Sequence, residues 1–217
     1  MSLVPNRFLF RFELPIHRWP GPVRIDGDLS KWDSRYQLPA LHTLDARRTL
    51  GDVYLAWCDD GLLVAAEVRG KRLPPQCDPL RFRKSDHLRL MTDLRDAREI
   101  RRATRFCQQF YFMPAGGPPG GRSPAAGGAH IARATADAPL AQPGDLTIAA
   151  RIGRGGWSVE AHIPARALAG FDPAENPRIG FYYILEDREL GQQALTVEDD
   201  LNWWMDPATW ATGVLVE

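Results

Sequence analysis

No apolar run in the sequence approaches the roughly 18–20 residues that would span a bilayer as a helix, so no membrane partner is expected. The opening "MSLVPNRFLFRFELP" lacks the basic segment and continuous apolar stretch of an export signal. The expectation is a cytoplasmic location, or an extracellular one if further chain precedes Met1. Cysteine is scarce: Cys58, Cys77 and Cys107 stand far apart, odd in number and without a C-x-x-C pair, which excludes a disulfide framework and zinc-finger spacing. They are expected to be small, partly buried thiols. An excess of either charge is also missing, with Lys plus Arg at 27 and Asp plus Glu at 27. Without a global field, nucleic acid is not an expected partner.

Catalytic signatures are absent in turn. H-E-x-x-H, G-x-S-x-G and G-x-x-x-x-G-K-[ST] do not occur, and "GRGG" at 153–156 is too short for a dinucleotide fingerprint. The five histidines, His17, His42, His87, His130 and His162, are scattered singly, as surface or satisfied core residues usually are. Nothing here predicts an enzyme.

What is present is alternation. Phe8, Phe10, Phe12 and Leu14 fall on one side of a segment, with Arg7, Arg11 and Glu13 on the other, as in a half-buried strand. In "DVYLAWCDDGLLVAAEV", Val53, Leu55 and Trp57 share a face, Asp59-Asp60-Gly61 turns, and Leu62, Val64, Ala66 and Val68 run back: a hairpin. "DHLRLMTD" sets Leu88 and Leu90 against His87, Arg89 and Met91. "RFCQQFYFMP" sets Phe106, Gln108, Phe110 and Phe112 against Cys107, Gln109 and Tyr111. Between them "LRDAREIRRAT", with acids and arginines four apart, predicts a helical turn or two in a solvated connection. "DLTIAARIG", "GWSVEAHIP" and "RIGFYYILEDREL" add three strands, and a short helix is expected after Pro164. "AGGPPGGRSPAAGG" is predicted to be a mobile loop over 115–129, because so few side chains cannot offset the entropy of ordering it.

At least eight short strands in 217 residues predict one all-β domain, an antiparallel β-sandwich of jelly-roll type with a Gly/Pro-rich loop inserted. An α/β fold would need helices of about ten or more residues between the strands, and they are missing.

Three segments invite a chemical reading. "IDGDLSKWD" fails as an EF-hand, since the fifth, sixth and twelfth positions from Asp26 are Ser30, Lys31 and Gln37. Asp26 and Asp28 are expected to shape a turn, with structural calcium as the secondary reading, and Trp32 to enter the core. Glu160, on the face opposite Trp157, Val159 and Ile163, is expected to pair with an arginine. "LNWWMDPATW" holds three tryptophans within eight residues, with Asn202 just before them and Asp206 among them. Sugars stack an apolar C–H face on indole and need amide, carboxylate or guanidinium partners for their hydroxyls, so this is the carbohydrate-like stretch.

In order along the chain, "IDGDLSKWD", "VYLAWCDDGLLVAAEV", "SDHLRLMTD", "WSVEAHIP", "RIGFYYILED" and "WWMDPATWATGVLVE" resemble the family 9 carbohydrate-binding module, within the DOMON-like superfamily of sandwiches. The resemblance covers about residues 22 to 217. It implies a non-catalytic module that grips the end of a sugar chain between two tryptophans and can hold structural calcium. Trp204 matches the family's tryptophan before "DP", with Trp203 beside it and Asn202 close to a hydrogen-bonding asparagine. Where the family has its second stacking tryptophan this chain has Phe82-Arg83; where it has a glutamate, Arg89; and where it has an arginine, Gln109. The exchanges at Arg83 and Arg89 suit an acidic or otherwise anionic ligand better than a neutral one. The expected partner is a carbohydrate or similar polar small molecule. Two alternatives remain: an interaction scaffold without a small ligand, and a haem-binding DOMON-like domain using Met91 or Met113 with His87.

Overall fold

A computed structural model describes residues 10–142, 144–196 and 201–217. Eleven strands are found among them: β1 (Glu13–His17), β2 (Gly51–Cys58), β3 (Gly61–Arg69), β4 (His87–Asp93), β5 (Cys107–Gly117), β6 (Ser123–Ala129), β7 (Thr147–Gly153), β8 (Gly156–Pro164), β9 (Arg178–Asp187), β10 (Gly191–Ala194) and β11 (Ala211–Val216). One sheet runs β1-β11-β9-β4-β5-β6 with β10 also on β9, and the other runs β2-β3-β8-β7. Every strand pairing is antiparallel except β1 with β11, which is parallel.

The core lies between the sheets, where the period-two faces meet. Leu88 and Leu90 of β4, Phe110 and Phe112 of β5, and Phe181 and Tyr183 of β9 face Leu55, Val64, Val159 and Ile163 of the second sheet. Sequestering two apolar sheet faces against each other is the main stabilising term, at ~25 cal/mol per Å² removed from water.

Both sheets are also covered on the outside. The second sheet's outer face carries Leu63 with the small residues Ala56, Cys58 and Ala65, which let the 19–36 segment lie close. Trp19, Trp32 and Tyr36 pack there as a separate aromatic cluster. Trp32 therefore belongs to a satellite core, not to the one between the sheets.

Glu160 explains why that segment adopts its shape. Its carboxylate is fully buried on the same outer face and accepts from Asp26 N at 3.0 Å, Gly27 N at 2.9 Å and Trp32 Nε1 at 3.0 Å. The ammonium of Lys31 completes the set at 2.9 Å. The predicted arginine partner is thus a lysine plus backbone amides, because Gly27 at φ +75° turns its own N–H and that of Asp26 toward the sheet. Asp26 Oδ1 meets Lys31 Nζ at 2.8 Å, which with the Asp28 N–H holds its carboxyl down at about 2. Asp28 caps the short 3-10 turn Leu29–Lys31 through Ser30 N. Lys31 and Arg24 both pair with Asp26, and Arg151 lies 3.9 Å from Asp28.

Three expectations are corrected. Residues 115–129 are not a mobile loop: they close the β5–β6 hairpin, whose turn holds a cis Pro118–Pro119 bond. Glycine is used there for close approach, since a Cβ on Gly127 would lie 2.6 Å from Tyr111 Oη, and one on Gly117 2.4 Å from the Pro124 carbonyl oxygen. The N-terminal strand starts at Glu13, so Phe10 and Phe12 precede it, while Arg7 and Phe8 lie outside the described residues. The 94–104 connection forms turns with no helix. Its arginines reach outward to fixed partners: Arg95 stacks on Phe106, and Arg98 donates to the Trp210 carbonyl.

Candidate ligand-binding cleft

The outer face of the larger sheet is set by register. Arg89 stands opposite Tyr111 and Ile184, Met91 opposite Gln109 and Tyr182, His87 opposite Glu186, and Gln192 opposite Glu186 from the other side. Period two therefore lifts Gln109, Arg89, Glu186 and Gln192 onto one surface from four strands.

Two loops build walls on this floor. In the first, Asp78 caps the 3-10 segment Pro79–Lys84 through Leu80 N and places Phe82 and Arg83 beside Arg89. The second comprises the described residues 201–210, between β10 and β11, which both pair with the same edge of β9. Its base is closed by Thr196 Oγ1 donating to the Thr209 carbonyl at 3.1 Å and by Trp210 Nε1 donating to the Trp203 carbonyl at 2.8 Å. The "DP" in "WWMDPATW" is a helix start: Asp206 caps the turn Pro207–Thr209 through Ala208 N, with Pro207 at its first position.

The result is an open cleft of about 460 Å³ lined by Arg83, Arg89, Gln109, Ala132, Glu186, Gln192, Trp203 and Trp204. Five of the residues picked out in the sequence meet there. Trp204 is 37% exposed and stands edge-on to Trp203, with centroids 5.8 Å apart at 89°. Trp203 is buried and stacks on Tyr182 at 5.3 Å, so it forms wall rather than a free platform. Phe82 falls outside the lining: its ring stacks on Tyr111 at 4.5 Å, and Arg83 and Arg89 lie over it. Asn202 is exposed and also outside the lining; its backbone carbonyl accepts from Met205 N and Asp206 N to start the turn.

Glu186 and Gln192 were missed by sequence reasoning. A signal existed for Glu186: it continues the outward-facing series Tyr182, Ile184 of an otherwise apolar strand.

The electrostatics centre on Arg89, which is 5% exposed. Burial, with Arg83 adding to it, pulls its guanidinium down to about 10, so it remains a cation at neutral pH. Its Nε and Nη2 point at His87 Nε2, at 3.4 and 3.3 Å, while His87 Nδ1 bonds the Ser85 carbonyl at 2.8 Å. Burial and the neighbouring Arg89 push His87 down to about 3, so it stays a neutral acceptor. With both ring nitrogens engaged and Met91 and Met113 fully buried, this constellation presents no free nitrogen to a haem iron. Burial raises Glu186, against the pull of Arg89 and Arg188.

Other concavities are less apt. The groove over Tyr54, Glu67, Arg69 and Arg151 is larger, at about 710 Å³, but the indole in its lining, Trp157, is buried and bonded to Asp187, and Arg69 is already paired with Asp52 and Glu67. The space between Gln108 and Leu140 encloses about 10 Å³, room for one water.

No family model matches the sequence, and no curated protein matches it. Solved structures do. A family 9 carbohydrate-binding module from Caldicellulosiruptor kristjanssonii in complex with cellotriose superposes at a TM-score of 0.64 and 14% identity, over 94% of this chain and 93% of that one. The fold is that of the family 9 carbohydrate-binding modules. A second structure of a family 9 module from that organism, in complex with glucose, gives 0.63 and 14%, over 95% and 96%. A protein from Bacteroides uniformis described as carbohydrate-binding gives 0.58 and 12%, over 95% and 100%. The family 9 fold accounts for the two-sheet sandwich anticipated from the strand pattern.

Proposed function

We propose that the protein is a non-catalytic carbohydrate-binding domain. Trp204 offers its indole to the apolar face of a sugar ring, while Arg89, Gln109, Gln192 and Glu186 meet the hydroxyls. The observation that carries the reading is an exposed tryptophan lining a cleft that also holds arginine, glutamine and glutamate side chains, on the fold of modules whose structures hold cellotriose and glucose. The open volume favours a small ligand over a scaffold role. A binding rather than a cleaving role is supported by the lining, whose described residues include a single carboxylate, Glu186, where glycoside hydrolysis commonly uses a pair.

Calorimetric titration with neutral, uronic and phosphorylated sugars tests this. Trp204→Ala is expected to weaken binding roughly ten-fold, about 1.4 kcal/mol, with little change in thermal stability because the ring is part-exposed. No binding by any of these sugars, or full affinity in Trp204→Ala, refutes it.

A further inference from the structure

We propose that the cleft selects an anionic saccharide, whose acidic group supplies the acceptors that Arg89 lacks. This rests on the carbohydrate-binding reading and narrows its ligand class.

Two lysines, Lys71 buried and Lys31 partly so, each sit between carboxylates. Lys71 sits between Asp86 at 3.1 Å and Asp187 at 2.8 Å. Lys31 sits between Asp26 at 2.8 Å and Glu160 at 2.9 Å. Arg89 is as enclosed as Lys71, yet no carboxylate pairs with it among the described residues. Its only hydrogen-bond acceptor there is the neutral His87 Nε2, which takes the Nε and Nη2 side and leaves Nη1 without a protein acceptor. A buried cation is normally paired, because an uncompensated one bears the full desolvation cost.

The rings around Arg89 hold the guanidinium without satisfying it. Its Cζ lies 5.4 Å from the Phe82 centroid and 5.3 Å from that of Trp203, contacts that use the π faces and not the N–H donors. His87, locked by Ser85, fixes the rotation of the group. The arrangement presents a pre-oriented donor edge to the cleft, the geometry that carboxylate and sulfate oxygens fit.

The surroundings carry the same sign. Arg83 lines the cleft beside Arg89, and Glu186, the one carboxylate among the described lining residues, lies 3.7 Å from Arg188. On the rim, Arg101 meets Asp206 of the Trp204 loop at 3.4 Å, and Arg102 donates to the carbonyl of Arg133, next to the lining residue Ala132.

The test titrates the native chain with four probes that share one shape: cellobiose, a disaccharide ending in glucuronate, the methyl ester of that uronide, and a disaccharide sulfate ester. The uronide is expected to bind on the order of ten-fold or more tightly than its ester, with a preference that falls as salt rises. Whether uronide or sulfate binds tighter assigns the acidic group. Arg89→Met, checked by thermal melting, is expected to level uronide and ester. If that variant does not fold, the acid-against-ester ratio in the native chain still decides. Equal affinity for uronide, ester and cellobiose overturns the inference and leaves carbohydrate binding standing. Binding of none of the four overturns both.

Discussion

Replacing Lys71 with methionine isolates the device that joins the two sheets beneath the cleft. Lys71 follows β3 of one sheet, whereas Asp86 precedes β4 and Asp187 ends β9 of the other, and all three side chains are 2% exposed or less. Methionine preserves the stem volume and removes the charge, leaving two buried carboxylates without their cation. Breaking such a pair costs ~3–5 kcal/mol. Backbone amides limit the loss, because Asp86 keeps Gln76 N and Arg188 N, and Asp187 keeps Glu189 N, Leu190 N and Trp157 Nε1. A net destabilisation of about 3 kcal/mol at pH 7 is expected, a large share of the ~5–15 kcal/mol of a typical domain.

The pH dependence gives the sharper test. In the native protein burial pushes the Asp187 carboxyl up, but hydrogen bonds from Lys71, Trp157 and the following amides outweigh it and hold the group below its ordinary value. Its stabilisation is therefore complete above the unfolded value of about 3.9 and is lost as pH falls through the folded one. Lys71 is raised in the fold, its ion pairs overcoming burial, so its share persists until strongly alkaline pH. Without Lys71, burial and mutual repulsion lift a carboxyl above its unfolded value, and acid then relieves the variant. Urea unfolding followed by tryptophan fluorescence should show the gap between native and variant narrowing from pH 7 to pH 4.5. A cost below about 1 kcal/mol at pH 7, or a gap that widens on acidification, would refute the reasoning.

Glu160→Ala strips acceptors from two backbone amides, an indole N–H and an ammonium, and is expected to cost ~3–4 kcal/mol by chemical denaturation, with hydrogen exchange rising at Asp26 and Gly27. Gly127→Val drives a side chain into Tyr111, which stacks under Phe82 and so under Arg89. A loss of ~1–3 kcal/mol with weakened ligand binding is expected, whereas Gly153→Ala, with nothing within 4 Å of the added carbon, should melt within a degree or two of the native chain.

The sandwich was legible because local pattern encodes it. Val53, Leu55 and Trp57 against Leu62, Val64 and Ala66 announce a hairpin with one common face, and the register observed is the one this spacing demands. The cover on the outer face of "GLLVAAEV" was not legible, because it depends on a pairing between residue 160 and residues 26 to 32 that no local rule expresses. The glycines of 115–129 misled because composition reports the absence of side chains and not the reason for it. Here the reason is a tyrosine ring from the neighbouring strand. In the cleft, Arg89, Gln109 and the tryptophan pair were visible as unusual residues on strand faces or in a loop. Which of Trp203 and Trp204 is open to a ligand was not, since that depends on Tyr182 lying beneath only one of them.

Because β10 and β11 are both anchored along one edge of β9, the segment joining them begins and ends at points the sheet itself determines. Lengthening such a segment adds only ~0.6 kcal/mol of closure entropy per doubling. The roof of the cleft can therefore be rebuilt while the floor stays in place. New ligand specificities should be reachable by exchanging the stretch from 201 to 206 as a cassette, with the four strand residues beneath it retained as a fixed receptor plate.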